Sequence, residues 1–217
     1  MTLDPTPATS AALRQTMIDS QLRTVGVNDD GVIAAFAAVP REAFVPPALA
    51  GLAYADAGVE VGPGRFLLEP MALALLLQNA RIAASDHILV VVAATGYSAA
   101  VIGHLAAQTT ALESDPNLAA AGRAAGVPVV EGPLAAGWSA AAPYDVILFE
   151  GAIDAVPEAI AAQLAPGGRV AAIISDGRVT RAHCGPVLAN GCIGGLGFLE
   201  VAAHPLPGFA RPRTFAF

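Results

Sequence analysis

The chain has 217 residues, of which 55% are hydrophobic and only 13% are charged, and its mean hydropathy is +0.59. No uninterrupted apolar run approaches the roughly 20 residues that a membrane-spanning helix requires, so the composition indicates a compact domain with buried strands. A net charge of −7 argues against a nucleic-acid-binding surface, because such surfaces need Lys and Arg side chains that contact phosphates.

Neither the first residues nor the cysteines indicate a secretory route or a metal. The segment MTLDPTPATS lacks the basic and apolar stretches of a secretory signal, so we expect a cytoplasmic location. Cys184 and Cys192 do not form a CxxC pair, and four ligands at a recognisable spacing are missing from the sequence. We therefore expect reduced thiols and no metal site.

The first third of the chain combines an arm with helices. Residues 1–12, rich in Pro, Thr and Ala, are predicted to form a disordered arm. Helical patterns cover residues 11–22 and 29–38. A turn at residues 62–64 (GPG) precedes an apolar helix that begins at Pro70, because Pro is favoured in the first turn of a helix.

The remainder alternates between strands and helices. Strands are predicted at residues 88–92, 109–113, 127–130, 145–149 and 169–174, and helices at residues 98–107, 116–125 and 157–164. Strands separated by helices of this length imply right-handed crossovers and a mostly parallel sheet. The tail, residues 197–217, is predicted to add closing β-structure and a Pro-rich loop.

Residues 88–97 (ILVVVAATGY) have the pattern of a buried strand, a sharp loop and the first residue of a helix. In nucleotide-binding loops of this kind, glycines permit positive φ angles and close approach of the ligand to the backbone. Here only Gly96 remains, and Val92 and Ala94 stand where glycines are expected. The pattern therefore predicts the fold more firmly than the activity.

Six segments in chain order resemble a known family. They are QLRTVGVND (residues 21–29), VPREAFVP (39–46), LAYAD (52–56), TGYSAAV (95–101), PYDVIL (143–148) and VPEAIAAQLAPGGR (156–169). As an ordered set they are similar to the protein-L-isoaspartate O-methyltransferases.

The resemblance implies an α/β fold of the Rossmann-like class I methyltransferase type, with a seven-stranded, mostly parallel sheet and helices on both faces. It implies a single domain, in which residues 13–70 form a helical segment with the acceptor site and residues 71–217 form the core. It also implies S-adenosylmethionine as methyl donor and isoaspartyl-containing proteins or peptides as acceptors. The sequence does not determine the oligomeric state.

The resemblance assigns a set of residues to the methyl donor. Glu113 is expected to accept hydrogen bonds from the ribose hydroxyls, as acidic residues do in dinucleotide sites, although an acid at a strand end can also be merely solvated. Glu131 is expected near the adenine. The full set of expected donor-binding residues is Val92, Ala94, Gly96, Tyr97, Glu113, Glu131, Gly132, Glu150 and Gly151.

The loop departs from the family pattern in three places. Val90 stands where the family has an acid that helps to hold the methionine ammonium, and Val92 and Ala94 replace glycines. A β-branched residue at positive φ costs on the order of 1–3 kcal/mol. We therefore expect either a loop of changed shape or weaker binding of the donor.

The acceptor segment GPGRFLLEP (residues 62–70) departs as well. Leu68 stands where the family has a hydroxyl residue, and Glu69 lies beside it. At about 4 Å, Glu69 would oppose a substrate carboxylate by roughly 4 kcal/mol at an effective dielectric of 20. Arg65 could offset this by pairing with either carboxylate. Alternatively, Glu69 is an acid in the first turn of a helix, where the helix dipole favours it.

Three functional hypotheses follow. The first is a carboxyl methyltransferase of protein repair, favoured by the resemblance and by Glu113. The second is a degenerate methyltransferase fold that acts as a binding or regulatory module, favoured by Val90, Val92, Ala94 and Leu68. The third, a nicotinamide-dependent oxidoreductase, is disfavoured because the loop lacks GxGxxG.

Overall fold

The computed structural model describes residues 7–210 and contains a seven-stranded sheet and a separate two-stranded hairpin. The strands are β1 (Val59–Gly62), β2 (Arg65–Leu67), β3 (His87–Val91), β4 (Gln108–Glu113), β5 (Val129–Glu131), β6 (Tyr144–Ile153), β7 (Leu164–Ser175), β8 (Thr180–Gly185) and β9 (Leu199–Glu200). The order in the large sheet is β5-β4-β3-β6-β7-β8-β9. Strands β3 to β7 are parallel, and β8 and β9 are antiparallel to their neighbours.

Six α-helices accompany these strands within the described part of the chain. They are α1 (Pro7–Met17), α2 (Asp30–Ala38), α3 (Pro70–Ala80), α4 (Tyr97–Ile102), α5 (Pro116–Ala124) and α6 (Glu158–Ala161). A π-helical turn at Ile18–Leu22 follows α1, and short 3₁₀ turns lie at Arg23–Val25, Arg41–Phe44, Pro47–Leu52, Leu134–Ala136, Ser139–Ala141 and Ala189–Gly191. None of the helices described is long and apolar enough to cross a membrane.

The sheet is buried on both faces, which explains the high hydrophobicity of the chain. Alternate residues of β3 point to opposite sides, so that Val90 packs towards the layer of α1 to α5 while Leu89 and Val91 pack towards α6 and the C-terminal loops. Strands covered in this way read as continuous apolar runs. The predicted α/β architecture with a seven-stranded, mostly parallel sheet is confirmed.

The structure corrects the expected N-terminal arm. Helix α1 already begins at Pro7, so residues 7–12 are helical; only residues 1–6 of the predicted arm lie outside the described residues. The Ala-rich segment after Pro7 is a good helix former, and Pro itself is tolerated in the first helical turn. Composition alone therefore placed the start of the helix too late.

Two predicted helices are shorter than expected. Helix α4 ends at Ile102 instead of residue 107, and α6 covers only Glu158–Ala161, because β7 already begins at Leu164. The hairpin of β1 and β2 and the strand β8 were not predicted. The hairpin places Arg65 over the edge of the main sheet where the site is found.

Candidate active site

The candidate site lies at the edge of the sheet where β3 and β4 end. Loop residues 92–96 follow β3, and Glu113 is the last residue of β4. Strand β6 continues past this edge through Glu150 and Gly151. Ligands of open α/β sheets bind at the carboxyl ends of the strands, so this is the edge at which the sequence places a donor site.

The loop adopts the backbone conformation of a glycine-rich loop without most of its glycines. The φ angles of Val92, Ala94 and Gly96 are +64°, +50° and +90°. The N–H of Gly96 donates to the carbonyl of Ala93 at 2.7 Å, which closes the turn. Val92 and Ala94 therefore adopt left-handed conformations although they carry Cβ atoms.

Arg65 and Glu113 form a buried ion pair at the centre of the site. The Arg65 Nε lies 3.1 Å from both carboxylate oxygens, and Nη2 lies 3.0 Å from Oε1. The Glu113 side chain is 0% exposed and that of Arg65 is 9% exposed. A planar guanidinium suits such a two-point contact. Arg65 thus pairs with Glu113, the acid expected to bind the ribose, and not with Glu69, which the sequence analysis considered as a partner.

Backbone amides complete the shell around Glu113. Ala94 N–H donates to Oε2 at 3.0 Å, and the amides of Ser114 and Asp115 donate to Oε1 at 2.7 and 3.0 Å. Together with the two guanidinium nitrogens of Arg65, these donors fill the roughly four lone-pair positions of the carboxylate. Glu113 has no acceptor position left for a further hydrogen bond.

Glu150 is a second buried acid at this edge. Its Oε1 lies 3.4 Å from the N–H of Leu68, while its Oε2 and the nearby Ser98 Oγ find no hydrogen-bond partner among the described residues. Burial raises the pKa of Glu150 to about 7; Ser98, the Leu68 amide and Arg41 oppose this shift without cancelling it. Glu150 therefore takes up a proton near neutral pH.

Arg41 was not predicted as a site residue, although it lies in the VPREAFVP segment. It is fully buried, and it donates from Nε to the carbonyl of Ala53 and from Nη2 to the carbonyl of Leu68, each at 2.7 Å. Burial lowers the pKa of its guanidinium. Arg41 thereby holds the backbone of the acceptor segment in place. The signal that could have revealed Arg41 in the sequence is its position as a charged residue within a largely apolar run.

The acceptor segment surrounds a small cavity of about 20 Å³. Leu68, Glu69, Glu150, Gly151 and Leu206 are among its lining residues. Leu68 is buried, whereas Glu69 precedes α3 without capping it through its side chain, and burial raises the Glu69 pKa with a smaller contribution from Asp56. A volume of this size holds about one water molecule.

The side chains of two other expected donor residues contact partners other than Glu113. Tyr97 is fully buried, and its ring packs edge-on against Phe36 and Phe44, with the Arg41 guanidinium 4.7 Å from its centroid. Glu131 is exposed and pairs with Arg123 at 2.6 Å.

Gly132 lies next to the site, close to the end of β4. Its N–H donates to the Glu113 carbonyl at 3.1 Å, and a Cβ there would lie 3.2 Å from Trp138. The structure therefore brings Arg65, Ala94, Glu113 and Gly132 together, and it places Glu131 beside Glu113 on the neighbouring strand, whereas the Tyr97 side chain packs in the core.

Comparison with known proteins identifies the family. The sequence model of the family described as "Protein-L-isoaspartate(D-aspartate) O-methyltransferase (PCMT)" matches residues 12–182 of this chain. The chain belongs to the protein-L-isoaspartate O-methyltransferase family. A relative of that name from Methylorubrum extorquens is 40% identical over 173 residues, which cover 77% of this chain and 75% of the relative. One from Anaeromyxobacter is 38% identical over 154 residues, covering 67% and 73%.

Solved structures of the protein-L-isoaspartate O-methyltransferase family share the fold. One of that name has a TM-score of 0.75 at 24% identity, and the match covers 90% of this chain and 66% of the other. Another, from Plasmodium falciparum, was solved in complex with S-adenosyl-L-homocysteine; its TM-score is 0.70 at 16% identity, with 91% and 97% covered. At these identities the likeness supports the architecture alone.

The protein-L-isoaspartate O-methyltransferase family uses S-adenosylmethionine, and the geometry tests whether this donor fits here. Glu113 has no free acceptor position for ribose hydroxyls. Val90, at the expected position of the ammonium-binding acid, is buried in the core. Val92 and Ala94 add side chains where close approach of a ligand needs glycine. The donor therefore does not fit the site in the arrangement described.

Proposed function

We propose that this protein is a protein-L-isoaspartate carboxyl methyltransferase that acts on isoaspartyl-containing proteins or peptides. The observation that carries the proposal is the family match over residues 12–182, with Glu113 retained at the carboxyl end of β4. A cytoplasmic location stays a prediction.

The chain's own residues have a limited task in this reaction. An isoaspartyl carboxylate is ionised near pH 7, so it needs no general base before it attacks a methyl group. Catalysis can then depend on holding the two reactants in line. Leu68, fixed by Arg41 and Glu150, offers this substrate no hydroxyl. We therefore expect slow turnover compared with a relative that has a Ser there.

A degenerate methyltransferase fold that serves as a binding module is the second candidate. The observation that favours it is the occupied carboxylate of Glu113 beside a loop with only one glycine. In this case the fold would persist because its core is well packed, and the donor site would have been replaced by an internal ion pair.

A methyl-transfer assay separates the two candidates. Radiolabelled S-adenosylmethionine is incubated with an isoaspartyl peptide and with the same peptide containing normal Asp. We expect label only on the isoaspartyl peptide. In an Arg65→Ala background, in which Arg65 no longer occupies the carboxylate, Glu113→Gln should weaken donor binding measured by calorimetry by about 1–3 kcal/mol, the cost of losing hydrogen bonds to a charged group. Glu200→Gln, at an exposed ion pair with Arg181, is the matched control.

The assay includes Arg65→Ala, so that a closed donor site is not mistaken for a missing activity. Label on the isoaspartyl peptide from either protein supports the proposal. If neither protein labels it above the blank, the enzymatic proposal is wrong and the binding module is favoured.

A further inference from the structure

Arg65 reaches Glu113 from an element that is not part of the main sheet. Arg65 opens β2, and the hairpin of β1 and β2 turns at residues 62–64, where Gly64 has a φ of +65°. The side chains of the ion pair come from positions 48 residues apart in sequence. The contact is therefore a property of how the hairpin docks, and not of the local structure around Glu113.

The hairpin is docked through three further contacts. Phe66 stacks on the imidazole of His204, with ring centroids 3.6 Å apart and planes 8° from parallel. Leu67 is fully buried in the core. Gly62 approaches Leu118, since a Cβ there would lie 3.1 Å from its Cδ1. These contacts hold the hairpin over the carboxyl edge with Arg65 pointing inward.

Glu113 does not depend on Arg65 alone. If Arg65 withdrew, the amides of Ala94, Ser114 and Asp115 would still donate to the carboxylate at 2.7 to 3.0 Å. The carboxylate would thus stay in place, with one acceptor position on Oε2, now taken by Arg65 Nε, available to a hydroxyl group.

We propose that Arg65 closes the donor site by occupying the carboxylate of Glu113, so that the ribose diol of S-adenosylmethionine or S-adenosylhomocysteine must displace it to bind. Arg65 is in this sense a positioning residue that sets the affinity for the donor. The inference rests on the proposed function only for the identity of the ligand.

The expected effect follows from the balance between closed and open forms. In the open form Arg65 has left Glu113. If this form makes up about one tenth of the protein or less, the apparent dissociation constant for the donor is raised about tenfold or more. Removing Arg65 should recover this factor. A merely structural role for Arg65 predicts the opposite, because a destabilised site binds its ligand less well.

Calorimetric titration with S-adenosylhomocysteine tests the proposal on the full chain. The variants are Arg65→Ala and Arg65→Lys, whose ammonium cannot make the two-point contact. Arg181→Ala is the matched control, because its ion pairs with Glu200 and Asp176 are exposed. We expect Arg65→Ala to bind at least about tenfold more tightly than the unmodified protein, Arg65→Lys to lie between them, and Arg181→Ala to show no change.

Glu113→Gln tests whether Arg65 acts on donor binding through Glu113. In the Arg65→Ala background it should abolish the gain in affinity, because the two residues act through one contact and their effects are not additive. If Arg65→Ala does not fold, as judged by its thermal unfolding, the comparison of Arg65→Lys with Arg181→Ala decides.

The outcomes separate this inference from the proposed function. Tighter binding by the Arg65 variants supports the inference whether or not an isoaspartyl peptide is methylated. Equal or weaker binding overturns it, even if methylation is observed. Absence of binding by every variant also overturns it, because removing Arg65 should then have opened the site.

Discussion

At the scale of single residues, the burial of Glu150 in the fold raises the pKa of its carboxyl group. Its pKa is about 7 in the folded protein against an ordinary 4.5, because burial penalises the charge. Below pH 4.5 both folded and unfolded states are protonated, and the group makes no contribution. Between pH 4.5 and 7 only the unfolded state releases the proton, so stability falls as the pH rises, by about 3 kcal/mol in total.

Glu150→Gln should remove this pH dependence. The amide keeps a carbonyl for the Leu68 N–H and has no charge to bury. We expect the variant to match the original protein near pH 4.5 and to exceed its free energy of unfolding by up to about 3 kcal/mol at pH 8. Urea unfolding at the two pH values measures this. Parallel pH profiles for the two proteins would show that Glu150 does not ionise as described.

At the scale of an element, the loop after β3 allows a matched comparison of two alanines. Ala93 and Ala94 are both fully buried, but only Ala94 has a positive φ, of +50°. A left-handed conformation costs a residue with a Cβ roughly 1–2 kcal/mol, and glycine avoids this cost. Ala94→Gly should therefore be less destabilising than Ala93→Gly by about 1–2 kcal/mol in denaturant unfolding. An equal loss in both variants would argue against the left-handed loop.

At the scale of the whole molecule, the C-terminal segment covers the acceptor side of the site. Ala152 N–H donates to the His204 carbonyl at 2.9 Å, and Leu206 N–H donates to the Ala152 carbonyl at 2.8 Å. This packing requires glycine at position 151, because a Cβ there would lie 2.5 Å from Leu206 Cδ2 and 3.0 Å from the His204 carbonyl oxygen. The C-terminal segment and the central strand β6 are thus closely packed against each other.

Gly151→Ala should displace that cover. We expect faster amide hydrogen exchange at residues 202–206 and a loss of about 1–3 kcal/mol in unfolding free energy, the usual cost of overpacking. Gly51→Ala is the control, since its Cβ would meet no heavy atom within 4 Å. Unchanged exchange at residues 202–206 in Gly151→Ala would mean that the segment does not pack as described.

The sequence by itself determined the sheet, because β3 to β7 are apolar runs with helices between them and because strands buried on both faces must read in this way. It also placed Glu113 at the end of β4, and Glu150 at the same edge of the sheet, although β6 continues beyond Glu150 to Ile153. The backbone of the loop could be predicted less directly from the sequence. Val92 and Ala94 stand where glycines are expected, and yet they adopt the positive φ angles that glycine favours.

Only the tertiary structure decided what those residues contact. Arg65 lies 48 positions from Glu113 in a hairpin without a strong period, so no local pattern indicates that the two side chains meet. The protonation of Glu150 likewise depends on its burial beneath Leu68, which belongs to a distant segment. Local patterns report which side of an element is buried, whereas an ion pair or a pKa depends on the distances between elements that the packing of the whole chain sets.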